Sequence, residues 1–258
     1  MVSEVQTAMQ RQHSSAACPS SEGPAGRATS LAGLVSRMLG GAVGAASRVP
    51  GAASAAALHP LERAGLERAV PRRLLQLAAG RAAARAALAE LGLAGAVIPR
   101  GRDGAPVWPC GWAGSIAHTE ALAIAVAAKT SLFAGLGVDL EPDAPLDAEL
   151  VASIATPAEL HRLRALAPAI AGERARALFC AKEAAYKCQY PMTGLLLDFG
   201  DLEIQPVESE PPLTRDKEFT AIFQRDVPPF RCGDGLRGHV GRAEGHVVAV
   251  CASPRSAP

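Results

Sequence analysis

The sequence lacks an excess of charge of either sign. Its 258 residues include 26 lysines and arginines against 25 aspartates and glutamates, which gives a formal net charge of +1. A protein that binds nucleic acid through the phosphate backbone usually has a basic surplus, because lysine and arginine must neutralise the phosphates. The overall charge therefore gives no support to nucleic-acid binding, and any site for an anion has to be local.

The sequence also lacks paired cysteines and long apolar runs. Its six cysteines form no C-x-x-C pair, so we expect reduced thiols rather than a disulfide framework, which favours the cytoplasm. No run reaches the roughly 18 consecutive apolar residues that indicate a membrane-spanning helix. Met1 to Ser21 contains no apolar core of a signal peptide. We therefore expect neither a secretion signal nor a membrane anchor.

Residues 1–55 lack aromatic side chains and are rich in Ala, Gly, Ser and Pro. Such a segment has little apolar surface with which to offset the entropy lost on ordering. We expect a disordered extension or a start codon placed too far upstream, with a targeting peptide as the alternative. An amphipathic helix within residues 31–47 has weak support, because Arg37 and several glycines interrupt the apolar stretches. The only two tryptophans, Trp108 and Trp112, are interpreted as packing residues.

Helical patterns begin at Arg72. Apolar residues recur near a period of 3.6 from Arg72 to Leu91, and Gly92 supplies a stop. The segment Thr156-Pro157-Ala158-Glu159 has the order of an N-cap, a first-turn proline and a capping-box glutamate, so it predicts a helix that ends before Pro168. A long helix that contains Glu183 follows.

Strand patterns are interleaved with these helices. Alternating apolar residues predict a buried strand over residues 116–128 and another over residues 136–140. Three later runs also indicate strands: Leu202 to Val207, Phe219 to Phe223 and His246 to Ala252. The helices and strands do not alternate regularly, as they would in a parallel doubly wound sheet. The sequence therefore predicts an α+β fold.

Two short segments concentrate carboxylates and lysines. Asp139 and Glu141 are two apart on the predicted strand, so both point to one face. Glu183 and Lys187 are four apart on the predicted helix and share a face as well. Hard carboxylate oxygens suit Mg²⁺ better than zinc, because Mg²⁺ takes a few carboxylates together with water and phosphate oxygens. Taken without further context, the same residues are more often solvated strand-end carboxylates and an ordinary surface ion pair.

Four strings of residues, in this order and spacing, resemble the 4′-phosphopantetheinyl transferase superfamily, and most of all its enterobactin synthetase component D-like branch. The upstream part is Arg72-Arg73, Ala79-Gly80-Arg81-Ala82-Ala83-Ala84-Arg85 and Leu88-Ala89-Glu90-Leu91-Gly92. The remaining strings are Trp108-Pro109 with Gly114-Ser115-Ile116-Ala117-His118-Thr119, then Gly137-Val138-Asp139-Leu140-Glu141, then Phe179-Cys180-Ala181-Lys182-Glu183-Ala184-Ala185-Tyr186-Lys187. The resemblance covers roughly Leu58 to Ala252.

The resemblance implies two pseudo-twofold-related α+β halves with the active site at their junction. We expect residues 56–135 to form the N-terminal half and residues 136–252 the C-terminal half. Residues 1–55 would be an extension and residues 253–258 a tail. Because one chain holds both halves, a monomer is expected to suffice.

The resemblance further implies the roles of the acidic and lysine residues. Asp139, Glu141 and Glu183 would hold Mg²⁺ against the diphosphate of coenzyme A. Glu183, or a water beside the ion, would take the proton from a serine hydroxyl of a carrier protein. Lys187 would stabilise or protonate the departing 3′,5′-ADP, and Lys182 would pair with a phosphate.

The basic residues and one histidine complete the expected coenzyme A site. By the resemblance, His118 would hydrogen-bond a coenzyme A phosphate. Arg81, together with Arg85 and Arg72, is a candidate for the 3′-phosphate, because guanidinium groups bind phosphate through two parallel hydrogen bonds. The chain departs from the pattern at Ala117, where the family usually has Ser or Thr, and at Ala105, where many relatives have a basic residue.

The function implied is the transfer of 4′-phosphopantetheine from coenzyme A to a serine of an acyl or peptidyl carrier protein, with Mg²⁺ as cofactor. Siderophore or other secondary-metabolite synthesis is the expected setting, without a nucleic-acid or membrane partner. Two alternatives are a non-catalytic protein that binds coenzyme A or a carrier, and a metal-dependent nuclease. The retained carboxylates and Lys187 argue against the first, and the small net charge against the second.

Overall fold

Two antiparallel sheets with helices on their outer faces make up the structure, a computed structural model that describes residues 30–51, 55–66, 69–205 and 217–255. The helices are α1 (Leu31–Leu39), α2 (Pro60–Arg63), α3 (Pro71–Glu90), α4 (Ala148–Ile154), α5 (Pro157–Arg164) and α6 (Pro168–Thr193). The strands are β1 (Gly44–Arg48), β2 (Trp112–His118), β3 (Ala123–Lys129), β4 (Phe133–Pro142), β5 (Leu202–Gln205), β6 (Lys217–Phe223), β7 (Gly235–Ala243) and β8 (His246–Pro254).

The elements stack in four layers. Helix α3 packs on the three-stranded sheet, whose order is β1-β3-β2, and helix α6 packs on the five-stranded sheet, whose order is β4-β8-β7-β6-β5. Between the sheets lies a core of Ile124 and Val126 on one side, Val138 and Val250 on the other, with α1 covering its margin. The predicted α+β class is confirmed, because helices and antiparallel sheets are segregated into layers.

The predicted helices form with the expected signals. Helix α3 extends to Glu90, and Gly92 adopts a φ of 90°, which a side chain would disfavour. At the start of α5, the Thr156 hydroxyl accepts a hydrogen bond from the Glu159 amide at 3.3 Å. The Glu159 carboxylate accepts one from the Thr156 amide at 2.6 Å, which completes the capping box. Helix α5 ends at Arg164, before Pro168 begins α6.

The strand prediction over residues 116–128 is wrong in one respect, because the segment is a hairpin rather than one strand. Thr119 makes the turn: its hydroxyl accepts hydrogen bonds from the amides of Ala121 and Leu122, each at 3.2 Å. Strand β7 was not predicted, since its four-residue stretch of Gly235 to Gly238 shows little apolar alternation. The predicted strand from Leu202 is observed as far as Gln205, and residues 206 and 207 lie outside the described residues.

The expectation of disorder for residues 1–55 is wrong for residues 30–51, and it lies outside the described residues for residues 1–29 and 52–54. Helix α1 buries Leu31, Leu34, Val35 and Met38 at helical spacing, and the Ser30 hydroxyl caps its first turn. Strand β1 pairs with β3 and completes the N-terminal sheet. The prediction relied on the absence of aromatic residues, but small and aliphatic side chains are enough to fill the layer formed by α1 and β1.

Glycines on β4 allow helix α6 to lie directly against the sheet. A Cβ atom at Gly137 would come within 1.8 Å of the Ala184 carbonyl oxygen, and one at Gly135 within 2.1 Å of the Cys188 carbonyl oxygen. Any side chain there would push the helix away. Asp139 lies on the same face of β4, so the close approach brings it to the helix that carries Glu183.

Hydrogen bonds join the two sheets at the seam between the expected halves. The Val138 amide donates to the Ser115 hydroxyl at 3.0 Å, and the Thr119 hydroxyl lies 3.1 Å from Nε2 of His246. The boundary expected at residues 135 and 136 stays a prediction. Within the described ranges, no helix combines the length and apolar character that crossing a membrane requires.

Candidate active site

The three candidate metal-binding carboxylates are all nearly buried and come from β4 and α6. Asp139 is 6% exposed, Glu141 8% and Glu183 7%. The strand residues share a face because side chains alternate along β4, while Leu136, Val138 and Leu140 point to the inter-sheet core. Helix α6 presents Glu183 and Lys187 from successive turns. The structure thus places the sequence-predicted acidic residues around one strand–helix contact.

Lys187 forms an ion pair with Asp139. Its Nζ donates to Oδ1 of Asp139 at 2.6 Å and to the Val138 carbonyl oxygen at 3.2 Å. Burial acts to lower the pKa of Lys187, but the charges of Asp139 and Glu183 outweigh it, so the pKa is raised. The lysine therefore carries a positive charge at neutral pH. Burial raises the pKa of Asp139, and the nearby charge of Glu141 raises it further against the opposing effect of Lys187.

Glu141 has a cationic partner that was not predicted from the sequence. Arg176 of α6 donates from Nη1 to Oε2 of Glu141 at 2.8 Å. Both side chains are nearly buried, with exposed fractions of 6% and 10%. Arg176 lies seven residues before Glu183, so both project from one face of the helix. This helical spacing was the available signal, but nothing in the sequence tied Arg176 to Glu141.

The carboxylates supply donors of the kind that Mg²⁺ prefers, but not a closed set. Among the described residues, no group of three His, Cys, Asp or Glu side chains is arranged to hold a metal ion as it stands. Lys187 and Arg176 already occupy one oxygen each of Asp139 and Glu141. Oδ2 of Asp139 is buried with no hydrogen-bond partner of normal geometry, beside the weakly donating Cys180 thiol. A buried, unpaired oxygen of this kind fits a divalent cation.

Lys182, predicted to bind coenzyme A, has its partners outside this cluster. Its Nζ lies 2.7 Å from Oε2 of Glu159 and donates to the Phe199 carbonyl oxygen at 2.7 Å. Glu159 also accepts the Ile204 amide at 2.7 Å. Burial lowers the pKa of Lys182, and Glu159 opposes that shift. The structure contradicts a phosphate-binding role, because the lysine already ties α5, α6 and β5 together.

We expect the Lys182→Met variant to lose stability without losing coenzyme A affinity. Removing one member of a buried ion pair leaves the other uncompensated, which typically costs about 3–5 kcal/mol. Urea unfolding would measure this loss, and the Lys182→Met, Glu159→Gln double variant should lose less. Calorimetry of coenzyme A binding at a temperature where the variants remain folded provides the second readout. A clearly weakened coenzyme A affinity would restore the phosphate-binding role.

Arg85 is also committed elsewhere. It donates from Nη1 to both carboxylate oxygens of Glu62, at 2.8 and 2.6 Å. Glu62 is fully buried and additionally accepts the amides of Ile98 and His59. The predicted phosphate role of Arg85 is therefore not supported: the arginine neutralises a buried carboxylate that fixes the start of α2. Arg72, the third predicted arginine, is exposed and pairs with Glu120.

Arg81 remains a candidate for an anionic ligand. It is nearly buried, yet its Nε has no hydrogen-bond partner and its Nη2 makes only a long contact of 3.5 Å with the Pro99 carbonyl oxygen. Burial lowers the pKa of Arg81 to about 10, with Glu62 raising it and Arg100 and Arg85 lowering it further. A guanidinium with so few partners gains more from a phosphate than one already paired.

Arg73, the neighbour of Arg72 in the same basic stretch of α3, stands beside His118. Its Nη1 lies 3.2 Å from Nε2 of His118. Burial lowers the pKa of Arg73, and the charge of Arg100 lowers it further. Arg100 thus places a further positive charge near both Arg73 and Arg81. It belongs to the same loop as Ala105, the position where many relatives have a basic residue. We call Arg73, Arg81, Arg100 and His118 the basic cluster.

Two tyrosines on α6 extend the acidic region towards the basic cluster. The Tyr190 hydroxyl donates to Oδ2 of Asp103 at 2.8 Å, which links α6 to the 100–106 loop. Tyr186 stacks on Tyr190 with ring centroids 6.2 Å apart. Burial raises the pKa of Tyr186 to about 12, helped by the charges of Glu183 and Asp103. Tyr186 therefore lies between the carboxylates and the loop that carries Arg100.

A buried carboxylate cluster, a lysine that stays charged and a separate group of arginines are typical of enzymes that transfer phosphoryl-containing groups. Comparison with known proteins agrees. Residues 61–128 match the 4′-phosphopantetheinyl transferase N-terminal domain, and residues 135–251 match the 4′-phosphopantetheinyl transferase superfamily. The chain belongs to this superfamily. The predicted enzyme class, a 4′-phosphopantetheinyl transferase, is confirmed.

Three relatives illustrate the likeness. The chain is 39% identical over 200 residues to 4′-phosphopantetheinyl transferase Svp of Streptomyces mobaraensis, covering 76% of this chain and 78% of the relative. It is 37% identical over 146 residues to 4′-phosphopantetheinyl transferase Npt of Nocardia iowensis, covering 57% and 65%. It is 37% identical over 145 residues to 4′-phosphopantetheinyl transferase PptT of Mycobacterium tuberculosis, covering 56% and 63%.

Proposed function

We propose that this enzyme transfers 4′-phosphopantetheine from coenzyme A to a serine of an acyl or peptidyl carrier protein, with Mg²⁺ bound by Asp139, Glu141 and Glu183. The observation that carries the metal site is the buried, unpaired Oδ2 of Asp139 within a carboxylate cluster. Bound there, Mg²⁺ would neutralise charge on the diphosphate oxygens of coenzyme A. The branch typified by enterobactin synthetase component D remains our assignment within the superfamily.

In the proposed reaction, the serine oxygen of the carrier forms a bond to the β-phosphorus of coenzyme A, and the bond from that phosphorus to the bridging oxygen breaks. Glu183 accepts the serine proton. Lys187, which keeps its proton at neutral pH, offsets the negative charge that develops on the departing 3′,5′-ADP. Both side chains lie on one face of α6; Glu183 is nearly buried, and Lys187 is partly buried against Asp139.

The basic cluster is our proposed site for the 3′-phosphate of coenzyme A. Support comes from Arg81, whose Nε is buried without a partner, and from Arg73, which lies against His118. The positive charge of Arg100 lies close enough to act on both arginines. Guanidinium and imidazole donors together suit a phosphate monoester.

Further features guide the choice of partners. Leu195 and Leu196 are 42% and 75% exposed, in the loop after α6 beside a groove lined by Glu183, Tyr186 and Leu197. We propose that an apolar patch of the carrier docks there during secondary-metabolite synthesis.

The five described cysteines are unpaired thiols, which supports a cytoplasmic location. We propose that the monomer is active.

Mass spectrometry of an apo peptidyl carrier protein incubated with the enzyme, coenzyme A and Mg²⁺ tests the proposal. We expect a mass gain of about 340 Da, the transferred group's formula mass, lost when the metal is chelated, as metal-assisted phosphoryl transfer requires. Coenzyme A binding without any gain on several carriers would indicate a non-catalytic binder. Cleavage of nucleic acid with no coenzyme A binding would favour the nuclease.

A further inference from the structure

We propose that Arg176 is a positioning residue of the metal site: it fixes the carboxylate of Glu141 in the orientation that Mg²⁺ binding needs. This inference rests on the proposed metal site and adds to it a residue that does not itself touch metal or substrate.

The contacts of Arg176 leave it little freedom. Besides the 2.8 Å bond to Glu141, it donates from Nε to the Ala144 carbonyl oxygen at 3.0 Å and from Nη2 to the Pro145 carbonyl oxygen at 3.4 Å. The residue is 5% exposed. All three nitrogens of the guanidinium group therefore have partners, and the planar fork sets the directions of these bonds.

The segment that follows β4 is held by a second contact with α6. The Leu146 amide donates to the Gly172 carbonyl oxygen at 3.0 Å, and a Cβ atom at Gly172 would come within 2.8 Å of Pro145. Helix α6 thus contacts residues 144–146 at two points, Gly172 and Arg176, which are one turn apart. The rotamer of Glu141 is set by the same helix that presents Glu183 two turns further on.

Charge alone would give Arg176 the opposite effect. A fixed cation 2.8 Å from Glu141 repels an incoming Mg²⁺, so a purely electrostatic arginine would weaken metal binding. Lys187 differs, because it contacts Asp139 through a single flexible ammonium group that can move aside. Keeping a buried arginine beside a metal ligand is reasonable if its directional bonds contribute more to metal binding than its charge subtracts.

Titration of the whole enzyme with Mn²⁺, followed by electron paramagnetic resonance in the presence of coenzyme A, tests the inference. We expect Arg176→Met and Arg176→Lys both to weaken Mn²⁺ binding, by about 10- to 100-fold as for other residues that orient metal ligands. Lysine keeps the positive charge but lacks the planar guanidinium group whose donors point in fixed directions. Arg242→Met is the matched control, because Arg242 pairs with Asp143 and Glu173 outside the cluster.

The outcomes separate the possibilities. Tighter binding by Arg176→Met with unchanged binding by Arg176→Lys would mean that only charge matters, and would overturn the inference. Equal affinities in the wild type and both variants would overturn it while leaving the proposed metal site intact. No Mn²⁺ binding by the wild type would overturn both. If Arg176→Met does not fold, Arg176→Lys decides alone, with its unfolding midpoint measured beside that of Arg242→Met.

Discussion

Replacing Glu183 with glutamine is expected to lower kcat/KM for carrier modification by about 10³-fold, within the range for removal of a general base. Glutamine keeps the size of the side chain but can neither accept the serine proton nor supply a charged metal ligand. Because Glu183 is nearly buried on α6 and close to the charge of Lys187, loss of its charge acts directly on the cluster. Steady-state kinetics with an apo carrier protein would measure the change.

Glu173→Gln provides the matched control on the same helix. Glu173 pairs with Arg242 at the surface, with 48% of its side chain exposed, so its variant should keep full activity. Raising the Mg²⁺ concentration separates the two roles of Glu183. Recovery at high metal would leave it only as a ligand, whereas a persistent loss would identify it as the base. A Glu183→Gln enzyme within tenfold of the wild type would remove Glu183 from the chemistry.

The part of the site that could be predicted from sequence is the part set by local periodicity. The period of two along β4 places Asp139 and Glu141 on one face, and the period of 3.6 along α6 places Glu183 one turn from Lys187. Gly137 adds a further signal, since a glycine two residues before Asp139 on the same face allows the helix to approach. These short-range rules hold because backbone geometry alone decides which side chains share a face.

Predictions for single basic residues failed where the partner is distant in sequence. Lys182 and Arg85 carry charges suited to phosphate, yet each neutralises a buried glutamate, Glu159 and Glu62 respectively. Both glutamates first cap a helix, which a sequence pattern can suggest, as it did for Glu159. Which cation then reaches the buried carboxylate depends on how α3 and α6 are rotated against their neighbours. Arg176 escaped notice for the same reason.

The N-terminal layer shows a different limit. Composition correctly indicated that residues 30–51 have no aromatic residues to bury, but β1 pairs with β3 along its whole length and also packs against α3. A Cβ atom at Gly44 would come within 2.1 Å of the Ala87 carbonyl oxygen, so glycine lets the strand approach α3. A segment that completes an existing sheet needs less apolar surface of its own, because backbone hydrogen bonds and the partner's core contribute.

Lys187→Met is expected to lower kcat by about 10²- to 10³-fold while tightening metal binding, because the lysine stabilises developing charge in the transition state and competes for Asp139 beforehand. Its Nζ lies 2.6 Å from Oδ1 of Asp139, the residue whose other oxygen is buried and unpaired. Removing the cation leaves both oxygens of Asp139 for Mg²⁺. Rapid-quench kinetics for turnover and Mn²⁺ titration for affinity would test the two opposite effects.

The opposite signs distinguish this role from structural damage, which would weaken both properties together. Lys129→Met serves as the control, since exposed Lys129 only stacks over the ring of Trp112. Lys187→Arg keeps the charge and should recover part of the turnover. The metal-free Lys187→Met enzyme should also be destabilised near neutral pH, because Lys187 lowers the pKa of Asp139 and its loss raises that pKa further. Unchanged kcat in Lys187→Met would exclude the lysine from stabilising the leaving group.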